Sequence, residues 1–279
     1  MLEWCAATPI FPRSLRRTGS FRHSSARMIV SHRQGFIFFH NPKCAGTTVR
    51  SALQPWHDDP QIFRGFFEAP FFRGTLDHAH LRLWELQALF PRILEAAATY
   101  RSVIIVRDPF RRFVSAVAHH FRYFQPNVTL AGLPPEQQIA AVEAFLDQVL
   151  SLGAIMTDVR FVHFSPQVWF ILLGGRVVPR DVLPLDPPLD PLGDSLLDPP
   201  LNPPGDFARG VFTALGLPGR VPAVENVTAF DLTPILSSAK ISDFVRTFYA
   251  PDFAFFSGQP GLAHLASAGC SSIVNPDGV

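Results

Sequence analysis

The stretch His40-Asn41-Pro42-Lys43-Cys44-Ala45-Gly46-Thr47-Thr48-Val49-Arg50 sets a cation, a glycine and two hydroxyls side by side. Those residue types suit the binding of an anion: Lys43 brings a full positive charge, and Thr47 and Thr48 bring hydroxyl donors. Arg107-Asp108-Pro109-Phe110-Arg111-Arg112-Phe113-Val114-Ser115 offers a second grip. The planar fork of Arg107 matches two phosphate oxygens, and Ser115, about two helical turns on, adds a hydroxyl. Between the two, Asp77-His78-Ala79-His80 places two imidazoles on the approach to a helix, where a side chain can reach into a cleft.

These groups need elements to position them. The apolar run Gly35-Phe36-Ile37-Phe38-Phe39 reads as a buried strand, and Val49-Arg50-Ser51-Ala52-Leu53 has the residue types of a helix's opening turns. The first N–H groups of such a helix lack internal partners, and the positive end of its dipole points into the loop. The loop is not the ordinary nucleotide loop, in which Lys directly precedes the hydroxyl residue. Here Lys43 comes before Gly46, so the cation enters from the strand side. Ser102-Val103-Ile104-Ile105-Val106 is β-branched and apolar throughout, as in a fully buried parallel strand. Pro109 suits the first turn of a helix running to Phe124, with Phe110, Phe113, Val114, Val117 and Phe121 on its buried face. Arg107 therefore leaves a strand at the carboxyl edge of a sheet, where open α/β folds bind ligands. Helical spacing recurs after Arg82, over Glu136 to Leu152, Phe207 to Leu215 and Ser242 to Tyr249. The pattern predicts an α/β fold of P-loop-like, three-layer type, with a central parallel sheet flanked by helices.

Pro-Lys-x-[Gly/Ala]-Gly-Thr-[Thr/Ser] after a strand resembles the 5′-phosphosulfate loop of sulfotransferases that use 3′-phosphoadenosine 5′-phosphosulfate (PAPS). The segment from Arg107 to Ser115 resembles their 3′-phosphate motif. Asp77-His78-Ala79-His80 is similar to the His-x-His segment of the carbohydrate branch, notably the uronosyl and heparan 2-O-sulfotransferases. His163-x-x-Pro166-Gln167 and Phe248-Tyr249-Ala250-Pro251-Asp252-Phe253 resemble further segments of that branch. Similarity runs patchily from Gly35 to Phe256, and Cys44 and Ala45 stand where Thr or Ser and Gly are more usual. The resemblance implies PAPS as donor, adenosine 3′,5′-bisphosphate as product and no metal. It places Pro42, Lys43, Cys44, Ala45, Gly46, Thr47, Thr48, Arg107 and Ser115 on the donor. Sulfuryl transfer is an in-line displacement resembling phosphoryl transfer, so fixed donors and a cation stabilise the growing charge while a base takes the acceptor's proton. Lys43 supplies the cation, His80 is the preferred base and His78 the second choice. His119 and His120 read as surface or packing residues.

Composition bounds the rest. A formal net charge of +1 over 279 residues argues against broad nucleic-acid binding. Cys5, Cys44 and Cys270 are too few and too scattered for a metal site or disulfide framework, and Cys44 reads as a small loop filler. No apolar run approaches the roughly 18 residues of a membrane span, so a reducing, cytoplasmic setting is expected. Residues 1–33 read as a flexible basic leader with Met28 an alternative start, 34–257 as the α/β domain, and 258–279 as a loose tail. The recurrent Leu-Asp-Pro-Pro of about 183–205 reads as an extended insertion, because proline removes backbone donors and fixes φ. The partners implied are a small nucleotide donor and a carbohydrate or other hydroxyl acceptor. Two alternatives stay open: a phosphotransferase using a nucleoside triphosphate, and a non-catalytic nucleotide-binding module of the same fold. The Phe- and Arg-rich segments at Phe63 to Arg73 and Arg122 to Phe124 are candidates for shaping an acceptor cleft.

Overall fold

The computed structural model describes residues 28–58, 63, 65–69, 74–125, 128–186, 205–218, 232–259 and 261–267. A four-stranded sheet organises them, in the order β1 (Ile29–Ser31), β2 (Phe36–Phe39), β5 (Arg101–Val106) and β8 (Asp181–Pro184). β1 and β2 form an antiparallel hairpin, whereas β2, β5 and β8 run parallel, with Phe38 opposite Val103 and Ile104 opposite Val182. Successive side chains of a strand point to opposite faces, and both faces here are apolar. Phe36, Phe38, Val103 and Ile105 pack with Val49 and Leu53 of α1 (Gly46–Leu53) and Val211 and Phe212 of α7 (Gly205–Ala214). On the other face Ile37, Phe39, Ile104 and Val106 meet Leu83 and Leu86 of α2 (Leu83–Leu89), Ile93 of α3 (Pro91–Ala97) and Phe256 of α9 (Ala250–Ser257). Each such fully buried side chain contributes about 1.5–3 kcal/mol. The result is a mixed α/β fold with a mostly parallel central sheet and helices on both sides.

The helix after β5, α4 (Pro109–Phe124), starts a second core away from the sheet. Its Phe110, Phe113, Val117 and Phe121 pack with α5 (Pro135–Gln148), α8 (Ala239–Phe248) and the short helix Val159–Phe164. Asp108 caps α4 by accepting from Arg111 N at 2.9 Å, and Pro109 occupies the first position. Two small hairpins, β3 (Phe66–Ala69) with β4 (Gly74–Asp77) and β6 (Leu172–Leu173) with β7 (Arg176–Val177), and the short helices α6 (Leu152–Thr157) and α10 (His264–Ser267) complete the described strands and α-helices.

The structure moves three boundaries expected from sequence. Met28 to Ser31 are buried in the sheet, so the leader expected through residue 33 ends inside a hairpin. β8 takes in Leu183 and Pro184, the start of the proline-rich stretch. It lies at the sheet edge, where a proline's missing N–H is tolerated. In the expected tail, Leu262 and Leu265 are buried in the main core. Residues 1–27, 187–204 and 268–279 lie outside the described residues. Among the described residues no helix is long and apolar enough to cross a membrane.

Candidate active site

β2 delivers the chain to the loop in an unusual backbone. Lys43 and Ala45 both adopt left-handed conformations, at φ 65° and 52°. For residues bearing a Cβ this costs on the order of 1–2 kcal/mol each, and such strain collects at ligand-binding loops. Cys44 between them is fully buried, its Sγ 3.5 Å from the Pro42 carbonyl and from Gln167 Oε1. Burial pushes its thiol up to about 12, so it is a protonated filler rather than a reactive group. Lys43 is half-buried, Pro42 and Thr48 are buried, and α1 starts at Gly46. The Thr47 side chain lies outside the described residues.

Arg107 meets this loop from the next strand, its Nη1 3.5 Å from the Lys43 carbonyl oxygen. Its Nε is buried without a hydrogen-bond partner and stands 3.6 Å from Asp186 Oδ1, with Arg111 Nη1 3.8 Å from the same oxygen. The Arg107 ion pair is longer than a hydrogen bond, so its Nε retains capacity for another anion. Asp186 also accepts from Asp108 N at 2.8 Å, a tie that no sequence motif announced. Ser115 is half-buried on α4, one turn beyond Arg111 and one turn before His119, so the three share one helix face.

Two segments beyond these motifs lock the junctions together. Gln167 accepts from Arg107 N at 3.0 Å and donates to Arg107 O at 2.7 Å, while Asn41 Nδ2 donates to its Oε1 at 3.0 Å. One amide thus fixes the ends of both β2 and β5. Asp252 holds Gln167 in turn, accepting from Gln167 N and Val168 N at 2.9 Å each. Arg112, buried, donates from Nε to Pro42 O at 3.0 Å and ties α4 to the loop. Tyr249 donates to Phe164 O at 2.9 Å. His163-x-x-Pro166-Gln167 and Tyr249-x-x-Asp252 are therefore the braces of the cleft.

The histidines separate into two environments. His80 Nδ1 lies 2.5 Å from Asp77 Oδ2, and the side chain is 1% exposed. A carboxylate only accepts, so Nδ1 carries a proton and Nε2 is the basic atom. Asp77 also accepts from Ala79 N at 2.9 Å, which caps the short helix His78–His80. A narrow slit lined by Thr75, Asp77, Met156 and Thr157 reaches His80. His78 instead packs edge-on against Phe90 with ring centroids 5.6 Å apart, and burial pushes its pKa from 6.5 down to about 4, with Asp77 opposing. His80 thus occupies the polar cleft and His78 the aromatic core. Phe63, expected near the acceptor, is likewise buried against Phe90 at 5.1 Å; residues 64 and 70–73 lie outside the described residues. Arg122 stands over the Tyr123 ring at 5.3 Å, on the surface.

His40 was part of the loop stretch without an assigned role, and the structure gives it one. Its Nδ1 is 3.2 Å from Ala79 O, an acceptor, so Nδ1 donates and the opposite edge of the ring faces the loop. A Cβ on Gly46 would stand 2.0 Å from His40 Cδ2 and 2.1 Å from Nε2. The far side of His40 meets His80, centroids 4.8 Å apart. One imidazole thus spans the space between the anion loop and the Asp77–His80 pair.

Among the described residues no group of three or more His, Cys, Asp or Glu converges as a metal site. Residues 26–141 match the sequence model of the sulfotransferase family, a span that takes in both strand–turn–helix junctions and the Asp77–His80 pair. No curated protein and no solved structure gives a significant match to the chain. The match to residues 26–141 supports a sulfotransferase family and, with it, sulfuryl transfer as the class of chemistry.

Proposed function

We propose that the chain transfers a sulfuryl group from PAPS to a hydroxyl of a carbohydrate or glycoconjugate, on a P-loop-like fold, without a metal. The observation that carries this reading is the meeting of the two junctions: Arg107 Nη1 reaches the Lys43 carbonyl, and its buried Nε lacks a hydrogen-bond partner. A ligand with anions at both ends suits that edge. The loop from Pro42 to Thr48 and the start of α1 take the 5′-phosphosulfate, while Arg107 and Ser115 take the 3′-phosphate. The acceptor oxygen attacks sulfur as the bond from sulfur to the bridging phosphate oxygen breaks. That electron pair leaves on adenosine 3′,5′-bisphosphate, beside Lys43, and the hydroxyl proton passes to His80 Nε2. An exposed Tyr123 beside Arg122 suits an acidic sugar stacking on an aromatic face.

Thermal melting with added nucleotides tests the donor. A ligand at about 100 times its Kd stabilises the folded state by about 2.7 kcal/mol, so adenosine 3′,5′-bisphosphate should raise Tm clearly and ATP with magnesium should not. A reversed order would favour the phosphotransferase. With labelled donor and a panel of glycans, Lys43→Ala should lower turnover by at least ~10²-fold. Arg107→Ala should chiefly weaken bisphosphate binding, by about 10- to 100-fold, as expected for hydrogen bonds to a charged group. Binding of the bisphosphate with no transfer to any acceptor would leave a binding module.

A further inference from the structure

His80 is the second ring in a row of four imidazoles contributed by four separate elements. His40 at the end of β2 and His80 lie 4.8 Å apart, His80 and His163 4.8 Å, and His163 and His119 4.3 Å, centroid to centroid. The last two pairs meet edge to face, at 89° and 86°. Exposure is lowest at His80, at 2%, and rises from there through His163 to His119. His40, His80 and His163 are buried, His119 on α4 is half-buried, and its ring lies 4.6 Å from that of Tyr123, which is 58% exposed. His119 stands on the same helix face as Arg111 and Ser115. Its neighbour His120 stacks on Phe161 in the core at 4.8 Å.

We infer that His163 and His119 form a proton exit from His80 to the surface during turnover. This inference rests on the sulfuryl-transfer reading above. Each cycle leaves the acceptor's proton on His80 Nε2, while Asp77 engages Nδ1. The His80 side chain is 1% exposed, so a proton on it meets almost no bulk water directly. His80, held at Nδ1 by Asp77, gives the proton back from Nε2. At His163 and His119 an imidazole takes a proton at one nitrogen and gives one from the other, and their broad χ2 torsions let it pass onward. The proton then moves to His163, to His119 and to bulk water, and His80 returns to its basic form. No bond to carbon, sulfur or phosphorus changes in these steps. The charged and titratable groups around the row include Asp77 at the end of β4, the buried Arg82–Glu85 pair that shares the slit with His80, the Asp158–Arg160 pair beside the helix that carries His163, and Arg122 beside Tyr123 on α4. His163 and His119 act through His80.

His119→Phe and His163→Phe keep a packed ring and remove the carrier. Steady-state transfer is measured for both, with imidazole titrated into a non-nucleophilic buffer and the bisphosphate-induced Tm shift recorded as a check on folding and donor binding. The expected result is a fall in kcat of about 10²-fold or more, within the range for lost proton transfer. KM for the donor and the Tm shift should stay unchanged, and imidazole should restore kcat in the variants while leaving the unmodified chain unaffected. Unchanged kcat, or a fall that imidazole does not restore, overturns the exit route and leaves the rings as packing. Absence of transfer by the unmodified chain, seen in the same assay, removes the reaction and the relay with it.

Discussion

Gly46 is required by a neighbouring ring rather than by its own backbone angle. A methyl group there would overlap His40, whose ring is held from behind by the Ala79 carbonyl and meets His80 beyond. Gly46→Ala should therefore cost about 1–3 kcal/mol by overpacking and weaken bisphosphate binding by moving the loop. His40→Ala in the same chain opens the space, so the double variant should bind the bisphosphate more tightly than Gly46→Ala alone. Independent, additive losses in titration calorimetry would show that His40 is not what the glycine accommodates. Asp77 carries a second residue-scale argument. Asp77→Asn keeps an oxygen to cap Ala79 N but no longer fixes the proton on His80 Nδ1. Turnover should drop by about 10²-fold or more while donor binding persists, because only the tautomer has changed. Turnover within a factor of two of the unmodified chain would remove His80 as the base.

At the scale of elements, the cleft depends on a brace running from α9 through Gln167 to the ends of β2 and β5. Asp252→Ala strips the acceptor from two buried N–H groups and should cost on the order of 3 kcal/mol in urea unfolding. Gln167→Ala leaves that cap intact but frees Arg107 and Asn41, so it should weaken bisphosphate binding more than it lowers stability. Equal binding by Gln167→Ala and the unmodified chain would show that the junctions hold their geometry unaided. The central strands and α4 were legible in sequence because continuous apolar runs and a helical period leave little choice of burial. β1 was not: Ile29–Ser31 is short and flanked by His32 and Arg33, so composition there reads as polar leader. β8 was hidden by the prolines that follow it. Gln167 and Asp252 stood within segments of recognisable resemblance, yet their task is a set of hydrogen bonds between residues 60 or more positions apart. Linear spacing carries no such information. His119 differs from its core neighbour His120 only by a hundred degrees around α4. The signal that separates them is the four-residue step Arg111, Ser115, His119, visible once the helix start is fixed at Pro109.

The whole molecule buries acids and bases whose pH responses oppose one another. Burial raises Asp108 from 3.8 to about 7, with Asp186 adding and Arg111 opposing, and raises Asp252 from 3.8 to about 6 against the pull of Arg112. Glu85 is also raised by burial, against its partner Arg82. A raised carboxyl binds its proton more tightly in the folded chain. Its contribution is therefore full below the unfolded value of 3.8 and is lost as pH rises through about 6 for Asp252 and about 7 for Asp108. His78 has the other sign. Its folded value of about 4 lies below the ordinary 6.5, so its contribution is full above 6.5 and is lost as pH falls toward 4. His120, lowered first by burial, acts in the same direction. The two slopes overlap, so the unmodified chain should show a shallow stability profile across mildly acidic pH, and single replacements should expose the hidden terms. Asp108→Asn keeps the helix cap and removes the largest acid-favoured contribution, so its urea midpoint should climb from about pH 4.5 to about pH 7.5 more steeply than that of the unmodified chain. His78→Leu removes the base-favoured contribution, and its midpoint should fall over the same interval. Parallel profiles for all three chains would mean that neither group changes its proton affinity on folding, and that the aromatic packing of His78 and the buried cap of Asp108 leave their protons where the unfolded chain holds them.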